Sequence, residues 1–234
     1  MIITNATADE FYFNQLLAFL TSMKVNSPNH IMNVFLANYP KDKEEQLKGM
    51  FPNYVFENRK LDMVDERGIS LILFRIMLIR ECFERYEGPV AWIDTDVIVR
   101  GNLDPFLSVE PVQLKILFRG DDVPEKVRFN AGIFRIGYSY GTYKMVCDWE
   151  EGLRNNMVWG MGQLELYKAF KKNEDLIDLV MMPEAFNDLG DSTNDDSFAP
   201  DSLMWHSKKY HFNNPKFQKE FQMYLKMAKE AQHD

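Results

Sequence analysis

Apolar and polar positions along the first sixty residues predict strands that alternate with helices. Three short apolar segments have the character of strands, at Met1–Thr4, Asn29–Asn38 and Tyr54–Glu57. Apolar residues at helical spacing from Phe13 to Met23 predict a helix after the first strand, and Lys41–Met50 predicts a surface helix after the second. This order is typical of an α/β domain whose mostly parallel central sheet is flanked by helices. We therefore expect residues 1–234 to form one such domain.

The helix predicted at Arg67–Tyr86 is apolar nearly all round, which indicates burial. Arg75 lies inside this apolar run, where a guanidinium needs an anion. A protein carboxylate such as Asp94 and a ligand phosphate are both possible partners, and the sequence leaves the choice open.

The second half of the chain continues the same alternation. Further strands are predicted at Val112–Arg119, Val127–Ile136, Ile177–Met181 and Leu203–His206. Helices are predicted at Tyr138–Arg154, Gly162–Lys172 and around Phe217–Ala228. The polar, acidic stretch Phe186–Pro200 has few apolar anchors, and we expect it to be a mobile loop that contributes to ligand binding.

A pair of carboxylates follows the most apolar strand of the chain. Val90 to Ile93 has the pattern of a strand buried on both faces, and Asp94 and Asp96 come directly after it. Acidic groups are costly to bury unless they are paired or bind a metal. Ligands of open α/β sheets bind at the carboxyl ends of the strands. The pattern predicts a site here, against the simpler alternative of two solvated aspartates in a turn.

Composition limits the classes of partner. The formal net charge of −8 disfavours nucleic acid, and a phosphorylated ligand would need a metal or local cations to offset repulsion. Cys82 and Cys147 lie in apolar helical patterns and are expected to be buried free thiols of a reducing compartment. The sequence shows neither a secretory leader nor an apolar run of membrane-spanning length, so we expect a cytoplasmic protein without a transmembrane segment.

Four stretches in order resemble the motifs of one enzyme class. They are Asp94-Thr95-Asp96, Phe129-Asn130-Ala131-Gly132, Gly162-Gln163 and Trp205-His206-Ser207-Lys208. Their order and spacing resemble those of nucleotide-sugar glycosyltransferases of the GT-A type, with a Rossmann-like domain, and in particular of glycosyltransferase family 8. The resemblance runs from Ile2 to about His211. It implies transfer of a sugar from a nucleoside-diphosphate sugar, with uridine diphosphate (UDP) expected, to a glycan or other hydroxyl acceptor.

The resemblance implies a metal site. Asp94, Asp96 and His206 would hold a divalent cation that stabilises the leaving diphosphate as a Lewis acid. Carboxylates with one imidazole suit Mn²⁺ better than Mg²⁺. Lys208 corresponds to the lysine that the family places on the diphosphate, although the His-x-Lys spacing is shorter than usual and Lys209 is a rival.

The resemblance also implies a donor pocket. Its nucleotide-binding residues would be Ala6, Thr7, Asp9, Tyr12, Arg75 and Thr95. An alternative role for Asp9 is to cap the first helix. Asn130, Ala131 and Gly132 would line the donor sugar, with Gln163 where the family often has Asp-Gln-Asp. Because both flanking aspartates are absent here, the donor sugar and the stereochemical outcome stay open.

A base is needed only if the reaction inverts the anomeric centre, and Glu165 and Asp191 are the candidates. Two other functions compete with glycosyl transfer. A haloacid-dehalogenase-type phosphohydrolase would use Asp94 as its nucleophile, but that nucleophile normally follows the first strand. A non-catalytic module that binds sugar nucleotides or glycans is the third possibility.

Overall fold

The computed structural model describes residues 1–62, 67–158, 160–189, 198–207 and 214–231. The strands of these residues are β1 Ile2–Thr7, β2 Met32–Ala37, β3 Val55–Arg59, β4 Val90–Ile93, β5 Val97–Val99, β6 Gln113–Phe118, β7 Phe129–Ile136, β8 Asp178–Met181 and β9 Met204–His206. The helices are α1 Glu10–Asn26, α2 Lys41–Met50, α3 Arg67–Tyr86, α4 Asp104–Leu107, α5 Glu125–Arg128, α6 Tyr140–Asn155, α7 Met161–Lys172 and α8 Pro215–Glu230.

Seven strands form the central sheet, in the order β3-β2-β1-β4-β7-β6-β8. The pairs β1–β2, β2–β3 and β6–β8 are parallel, whereas β7 runs antiparallel to β6. Strands β5 and β9 form a separate antiparallel pair. The predicted α/β class, with a mostly parallel sheet flanked by helices, is confirmed.

The chain folds as two compact units. One, here called the N-terminal unit, comprises Ile2–Lys60, Ile93–Phe106 and Pro183–Asp234. The other, here called the central unit, comprises Met1, Leu61–Trp92 and Leu107–Met182.

In the N-terminal unit, α1 packs against α8 and β5. The side chain of Asn26 ties these three elements together, because its amide nitrogen donates to the Val99 carbonyl at 2.8 Å and to the Tyr224 hydroxyl at 2.7 Å. Leu16, Leu17 and Phe19 fill the buried face of α1. These contacts fix the strand that follows the Asp94–Asp96 turn.

The short β5–β9 pair is held by aromatic packing behind it. Phe198 is fully buried between the rings of Trp205, 4.9 Å away, and Phe217 of α8, 6.0 Å away. The guanidinium of Arg100 lies over Trp205, with its carbon 3.9 Å from the ring centre. The same guanidinium donates to both carboxylate oxygens of Glu220, at 3.1 and 3.2 Å.

In the central unit, α3, α6 and α7 pack on one another. The Trp149 indole of α6 donates to the Gly162 carbonyl at 2.8 Å and its ring meets Phe134 of β7 edge-on. A Cβ on Gly162 would lie 2.7 Å from Ile72, so this close approach of α7 to α3 requires glycine. Helix α3 is less completely buried than the sequence predicts, because Leu71, Ile72, Leu73 and Met77 are only half-buried. The buried apolar residues of α3 are Ile69, Phe74, Ile76, Leu78, Ile79, Cys82 and Phe83.

The structure differs from the sequence prediction at several element boundaries. β1 continues to Thr7, because its polar residues join a ladder in which Asn5 pairs with Phe35 and Thr7 with Ala37. The predicted strand at Val127–Ile136 begins with the helical turn α5 and becomes extended only at Phe129. The apolar segments on either side of Asp94 and Asp96 belong to two different sheets.

The two cysteines are free thiols, as predicted. Cys82 is buried, but Cys147 is only half-buried, and burial raises the pKa of the Cys147 thiol. Among the described residues, no helix combines the length and the apolar character that a membrane span requires.

Candidate functional site

Three side chains of the N-terminal unit, Asp94, Asp96 and His206, come together at the end of β4. One potential ligand atom of each lies within 4.8 Å of the other two. Nε2 of His206 lies 3.3 Å from Oδ1 of Asp96. Asp94 and Asp96, from the first half of the chain, thus share a site with His206, from its last quarter.

The β5–β9 pair explains how His206 reaches the two aspartates. Val97 is opposite His206 in the antiparallel register, and the Ser207 amide donates to the Asp96 carbonyl at 2.9 Å. These pairs align β9 beside the turn after β4. The imidazole is therefore positioned by the backbone hydrogen bonds between β9 and the segment 96–99.

Within the cluster, Asp96 presents a buried carboxylate oxygen to His206. His206 is 2% exposed, and the Asp96 side chain is 25% exposed. Oδ1 of Asp96 is buried and accepts no hydrogen bond from the described residues, yet it faces Nε2 of His206. An imidazole lone pair and a carboxylate oxygen repel each other unless a proton or a metal ion lies between them.

Asn187 orients the imidazole from behind. Its Oδ1 lies 2.9 Å from Nδ1 of His206, and the His206 amide donates to the Asp188 carbonyl at 2.8 Å. An amide oxygen can only accept, so Nδ1 carries a proton and Nε2 is the nitrogen that faces Asp96. This is the arrangement that metal-binding histidines use. Nothing in the sequence singles out Asn187, which opens a polar stretch rich in similar residues.

The residues fit a divalent ion of the Mn²⁺ or Mg²⁺ kind. Two carboxylates and one imidazole are a donor set that transition ions accept. Ligands about 2.1 Å from an octahedral ion lie about 3 Å apart when they are adjacent. The 3.3 Å between His206 Nε2 and Asp96 Oδ1 is close to that spacing.

The predicted nucleotide-binding residues at the end of β1 form a compact turn. Ala6 and Thr7 are buried in the strand, and the Thr7 hydroxyl has no hydrogen-bond partner among the described residues. Oδ1 of Asp9 accepts from the Phe11 amide at 3.1 Å, so the capping role of Asp9 is present. Tyr12 is half-buried and meets the Phe11 ring edge-on.

Lys43 supports this turn and was not identified from the sequence. Its ammonium donates to the Ala8 carbonyl at 3.0 Å and lies 4.8 Å from the centre of the Phe13 ring. A lysine on a polar surface helix carries no signal that would distinguish it from its solvated neighbours.

The predicted donor-sugar residues lie in the central unit. Asn130 is 1% exposed; its oxygen accepts from the Gly132 amide at 2.9 Å, and its Nδ2 has no hydrogen-bond partner among the described residues. Oε1 of Gln163 is likewise buried without a partner there. Buried amide groups are normally satisfied, so the lack of a partner at each of these two atoms needs a reason.

Arg75 contacts the backbone of the stretch that contains Asn130, Ala131 and Gly132. Its guanidinium donates to the Ala131 carbonyl and lies over the Trp92 ring, 4.8 Å from the ring centre. The charge of Arg75 is therefore fixed in place by an aromatic face and a carbonyl oxygen.

Several predicted residues are not part of these groups. Lys208, its rival Lys209 and Asp191 lie outside the described residues, as does most of the stretch Phe186–Pro200, which we expect to contribute to ligand binding. Thr95 is half-buried in the turn between Asp94 and Asp96.

Glu165 does not suit the role of a base. It is buried between α6 and α7, where its Oε1 accepts from Lys168 at 2.9 Å and from Asn156 at 3.1 Å. The sequence could not show that two helix-borne donors already occupy this carboxylate.

Comparison with known proteins gives a clear result for the fold alone. No family model matches the sequence, and no curated protein matches it. Solved structures do match. The apo bifunctional glycosyltransferase WbbM has a TM-score of 0.67 and 15% identity, with 100% of this chain and 51% of WbbM covered.

Two further matches have similar statistics. The glycosyltransferase GlyE of Streptococcus pneumoniae TIGR4 has a TM-score of 0.65 and 16% identity, with 98% of this chain and 63% of GlyE covered. The galactosyltransferase LgtC, in complex with donor and acceptor sugar analogs, has a TM-score of 0.59 and 14% identity, with 95% and 96% covered.

The chain has the GT-A fold. It spans about half of the WbbM structure and under two thirds of the GlyE structure, but nearly all of LgtC. In this GT-A domain the Asp94–Asp96–His206 cluster follows β4, the middle strand of the seven.

Proposed function

We propose that this protein is a metal-dependent glycosyltransferase, built as a single GT-A domain over residues 1–234. It transfers a sugar from a UDP-sugar donor to a glycan or other hydroxyl acceptor. The observation that carries the proposal is the cluster of Asp94, Asp96 and His206 at the end of the middle strand of a GT-A sheet.

In this proposal, Asp94, Asp96 and His206 hold Mn²⁺, with Mg²⁺ as the alternative. When bound, the ion supplies Lewis-acid stabilisation of the charge on the departing diphosphate. Asn187 keeps the imidazole in the tautomer that presents Nε2 to the ion. The unpartnered Oδ1 of Asp96 supports the assignment, because a metal ion would give this oxygen the partner that it lacks among the described residues.

The nucleotide would lie at the turn after β1. Backbone groups of Ala6 and Thr7, with Asp9, would hold the uracil, and Tyr12 offers a ring for stacking. Lys43 would act as a positioning residue, since it holds the Ala8 carbonyl. Arg75 and Lys208 would bind the diphosphate through charge-assisted hydrogen bonds.

Asn130 and Gln163 would bind the donor sugar. Asn130 has a free donor in Nδ2 and Gln163 a free acceptor in Oε1, a combination that suits sugar hydroxyls. An active-site Gln-to-Glu variant of LgtC is among the matching structures, with 15% identity and a TM-score of 0.62. A glutamine in the active site of this chain would agree with that relative.

The stereochemical outcome that this proposal favours is retention. Glu165 is engaged by Lys168 and Asn156, and the departing phosphate can itself take the proton of the acceptor hydroxyl. An inverting enzyme would instead need a base, for which Asp191 is the remaining candidate.

The phosphohydrolase alternative is less well supported. Its nucleophile would have to be Asp94, which here follows the fourth strand of the chain and shares its site with an imidazole. A non-catalytic module that binds sugar nucleotides would use the same binding residues as the proposed transferase, but it would not catalyse sugar transfer.

One experiment separates these functions. Purified protein is heated with UDP, ADP or GDP, each with and without Mn²⁺, and its melting temperature is recorded. We expect the largest rise with UDP and Mn²⁺ together, and Mn²⁺-dependent hydrolysis of a UDP-sugar in the same buffer. Stabilisation without any hydrolysis or transfer would identify a binding module. Release of phosphate from phosphomonoesters, with no response to UDP, would identify a phosphohydrolase.

A further inference from the structure

The second half of β7 carries a buried cation that the proposed reaction does not use. Arg135 is 7% exposed, and within the described part of the chain no hydrogen bond or ion pair reaches its guanidinium. Its Nε is fully buried without an acceptor. Buried guanidinium groups are normally paired with carboxylates, phosphates or carbonyls, so this side chain lacks a partner of ordinary kind.

A second cation faces it. Lys115 of β6 is directly opposite Arg135 in the antiparallel register. Like charges at opposite positions destabilise a sheet unless something neutralises them. Burial lowers the pKa of Arg135 to about 10, and burial and then the charge of Arg135 lower the pKa of the Lys115 ammonium.

Two cations on opposed residues of β6 and β7 favour a negatively charged occupant between them.

The segment 108–111 forms a wall beside these two strands. The Lys115 ammonium donates to the Ser108 carbonyl at 3.1 Å. A Cβ on Gly137, two residues after Arg135, would lie 2.1 Å from the Glu110 carbonyl oxygen and 2.4 Å from that of Pro111. This wall is therefore backbone in close contact with the end of β7.

We propose that Arg135 and Lys115 bind a small oxyanion, namely phosphate, sulfate or a carboxylate, on the face of β6 and β7. A guanidinium can hold such an anion through two parallel hydrogen bonds, and an ammonium adds a point charge. Asn130, a proposed donor-sugar residue, pairs with Leu117 beyond a register shift in the β6–β7 ladder and is therefore not opposite either cation. The oxyanion site does not depend on the proposed function.

Thermal unfolding in metal-free chloride buffer with EDTA tests the proposal. Inorganic phosphate is titrated in at constant ionic strength, with sulfate and acetate as parallel arms that show which oxyanion the site prefers. We expect phosphate to raise the melting temperature of the unmodified protein. Arg135→Met should melt higher than the unmodified protein in chloride, because an unpaired buried charge is gone, and its phosphate affinity should fall at least tenfold.

Three variants serve as comparisons. Lys115→Met should weaken the phosphate response, whereas Arg119→Met, which removes another half-buried arginine of the same unit, should retain it. Arg75→Met should also retain it, which separates this site from a diphosphate site.

Two results would overturn the proposal. One is the absence of an anion-specific rise in the melting temperature, together with a lower melting temperature of Arg135→Met in every buffer. That result would make the arginine purely structural. The other is a loss of stability in Glu110→Gln equal to that in Arg135→Met, again without an anion response, which would assign the counter-charge to the protein's own exposed carboxylate.

Discussion

Nδ1 of His206 lies 2.9 Å from the side-chain oxygen of Asn187, nineteen residues earlier in the chain. Asn187 directly follows the short turn Glu184–Phe186, so this contact joins that turn to β9. It also sets which imidazole nitrogen faces the aspartates. The proposed metal site thus depends on a residue that makes no contact with the metal.

We predict that Asn187→Ala weakens Mn²⁺ binding by about 10- to 100-fold, because the imidazole loses the acceptor that fixes its tautomer and orientation. Calorimetric titration of Mn²⁺ measures this directly. Asn102→Ala is the matched control, since that exposed side chain bonds only its near neighbour Asp104. Equal Mn²⁺ affinity in the Asn187 variant and the unmodified protein would show that the contact is merely structural.

Asp94→Asn and Asp96→Asn should each lower sugar transfer and UDP-sugar hydrolysis by at least about 100-fold, because an amide cannot replace an anionic metal ligand. Initial rates at saturating donor and Mn²⁺ give the comparison, and circular dichroism checks the fold. Asp42→Asn, on the solvent side of α2, should keep full activity. Normal turnover in both site variants would remove the metal role from the carboxylate pair.

Asn130→Ala and Gln163→Ala should lower kcat by about 10- to 100-fold while Mn²⁺ affinity stays unchanged, because neither side chain is one of the three proposed metal ligands. Steady-state kinetics with a UDP-sugar and a separate Mn²⁺ titration provide the two readouts. A parallel loss of Mn²⁺ binding and kcat would mean that these residues act by supporting the fold.

The sequence was most informative where a pattern repeats. Alternating strands and helices predicted the α/β class, and the apolar run before Asp94 predicted a buried strand followed by a site. The period of that run could not show that Val97–Val99 leaves the main sheet to pair with β9, because the pairing is set by contacts a hundred residues away. His206 was identified through the family resemblance and not through its own surroundings.

The residues that the sequence could not identify are those whose role depends on one tertiary neighbour. Asn187 and Lys43 are ordinary polar residues until the fold puts an imidazole or a carbonyl next to them. Glu165 was a candidate base on chemistry alone, and only the packing of α6 on α7 shows that its carboxylate is occupied. In the sequence, Arg135 looks like an ordinary polar residue of a strand. Only the structure shows that it is buried without a partner among the described residues.

Replacement of Arg100 tests the support behind β9. Its guanidinium stacks on Trp205, pairs with Glu220 and donates to the carbonyls of Pro200 and Ser202, at 3.0 and 3.2 Å. Arg100→Met should lower the free energy of unfolding by roughly 2 kcal/mol, since several partners lose their donor together. That corresponds to a fall in Tm of about 4–8 °C.

Lys41→Met is the control for Arg100→Met. Lys41 forms an exposed ion pair with Glu45 one helical turn away, and such pairs contribute little. Its Tm should change by no more than about 1 °C. An equal, small change in both variants would show that the Arg100 contacts are solvated surface interactions.

The last prediction concerns the junction of α6 and α7. Burial raises the pKa of Asp148, but hydrogen bonds from Asn173, Lys144 and Lys172, at 2.8, 2.7 and 2.7 Å, outweigh it and bring the pKa to about 2. Some carboxyl groups have a lower pKa in the folded than in the unfolded chain. Such a group stabilises the fold at pH values above its pKa in the unfolded chain, which is about 3.9. That contribution is lost as the pH falls from about 4 towards 2.

Asp148→Asn should therefore lower the free energy of unfolding at pH 7 by roughly 1–2 kcal/mol, a figure reduced for the solvent exposure of the two lysines. The difference from the unmodified protein should shrink steadily between about pH 4 and pH 2, since both proteins then lack the charge. Urea unfolding at pH 7, 5 and 3 measures it. Asp175→Asn, an exposed aspartate beyond the end of α7, should show little change at any pH. A constant difference for Asp148→Asn down to pH 3 would mean that the amide disrupts packing, and that the charge of Asp148 contributes nothing.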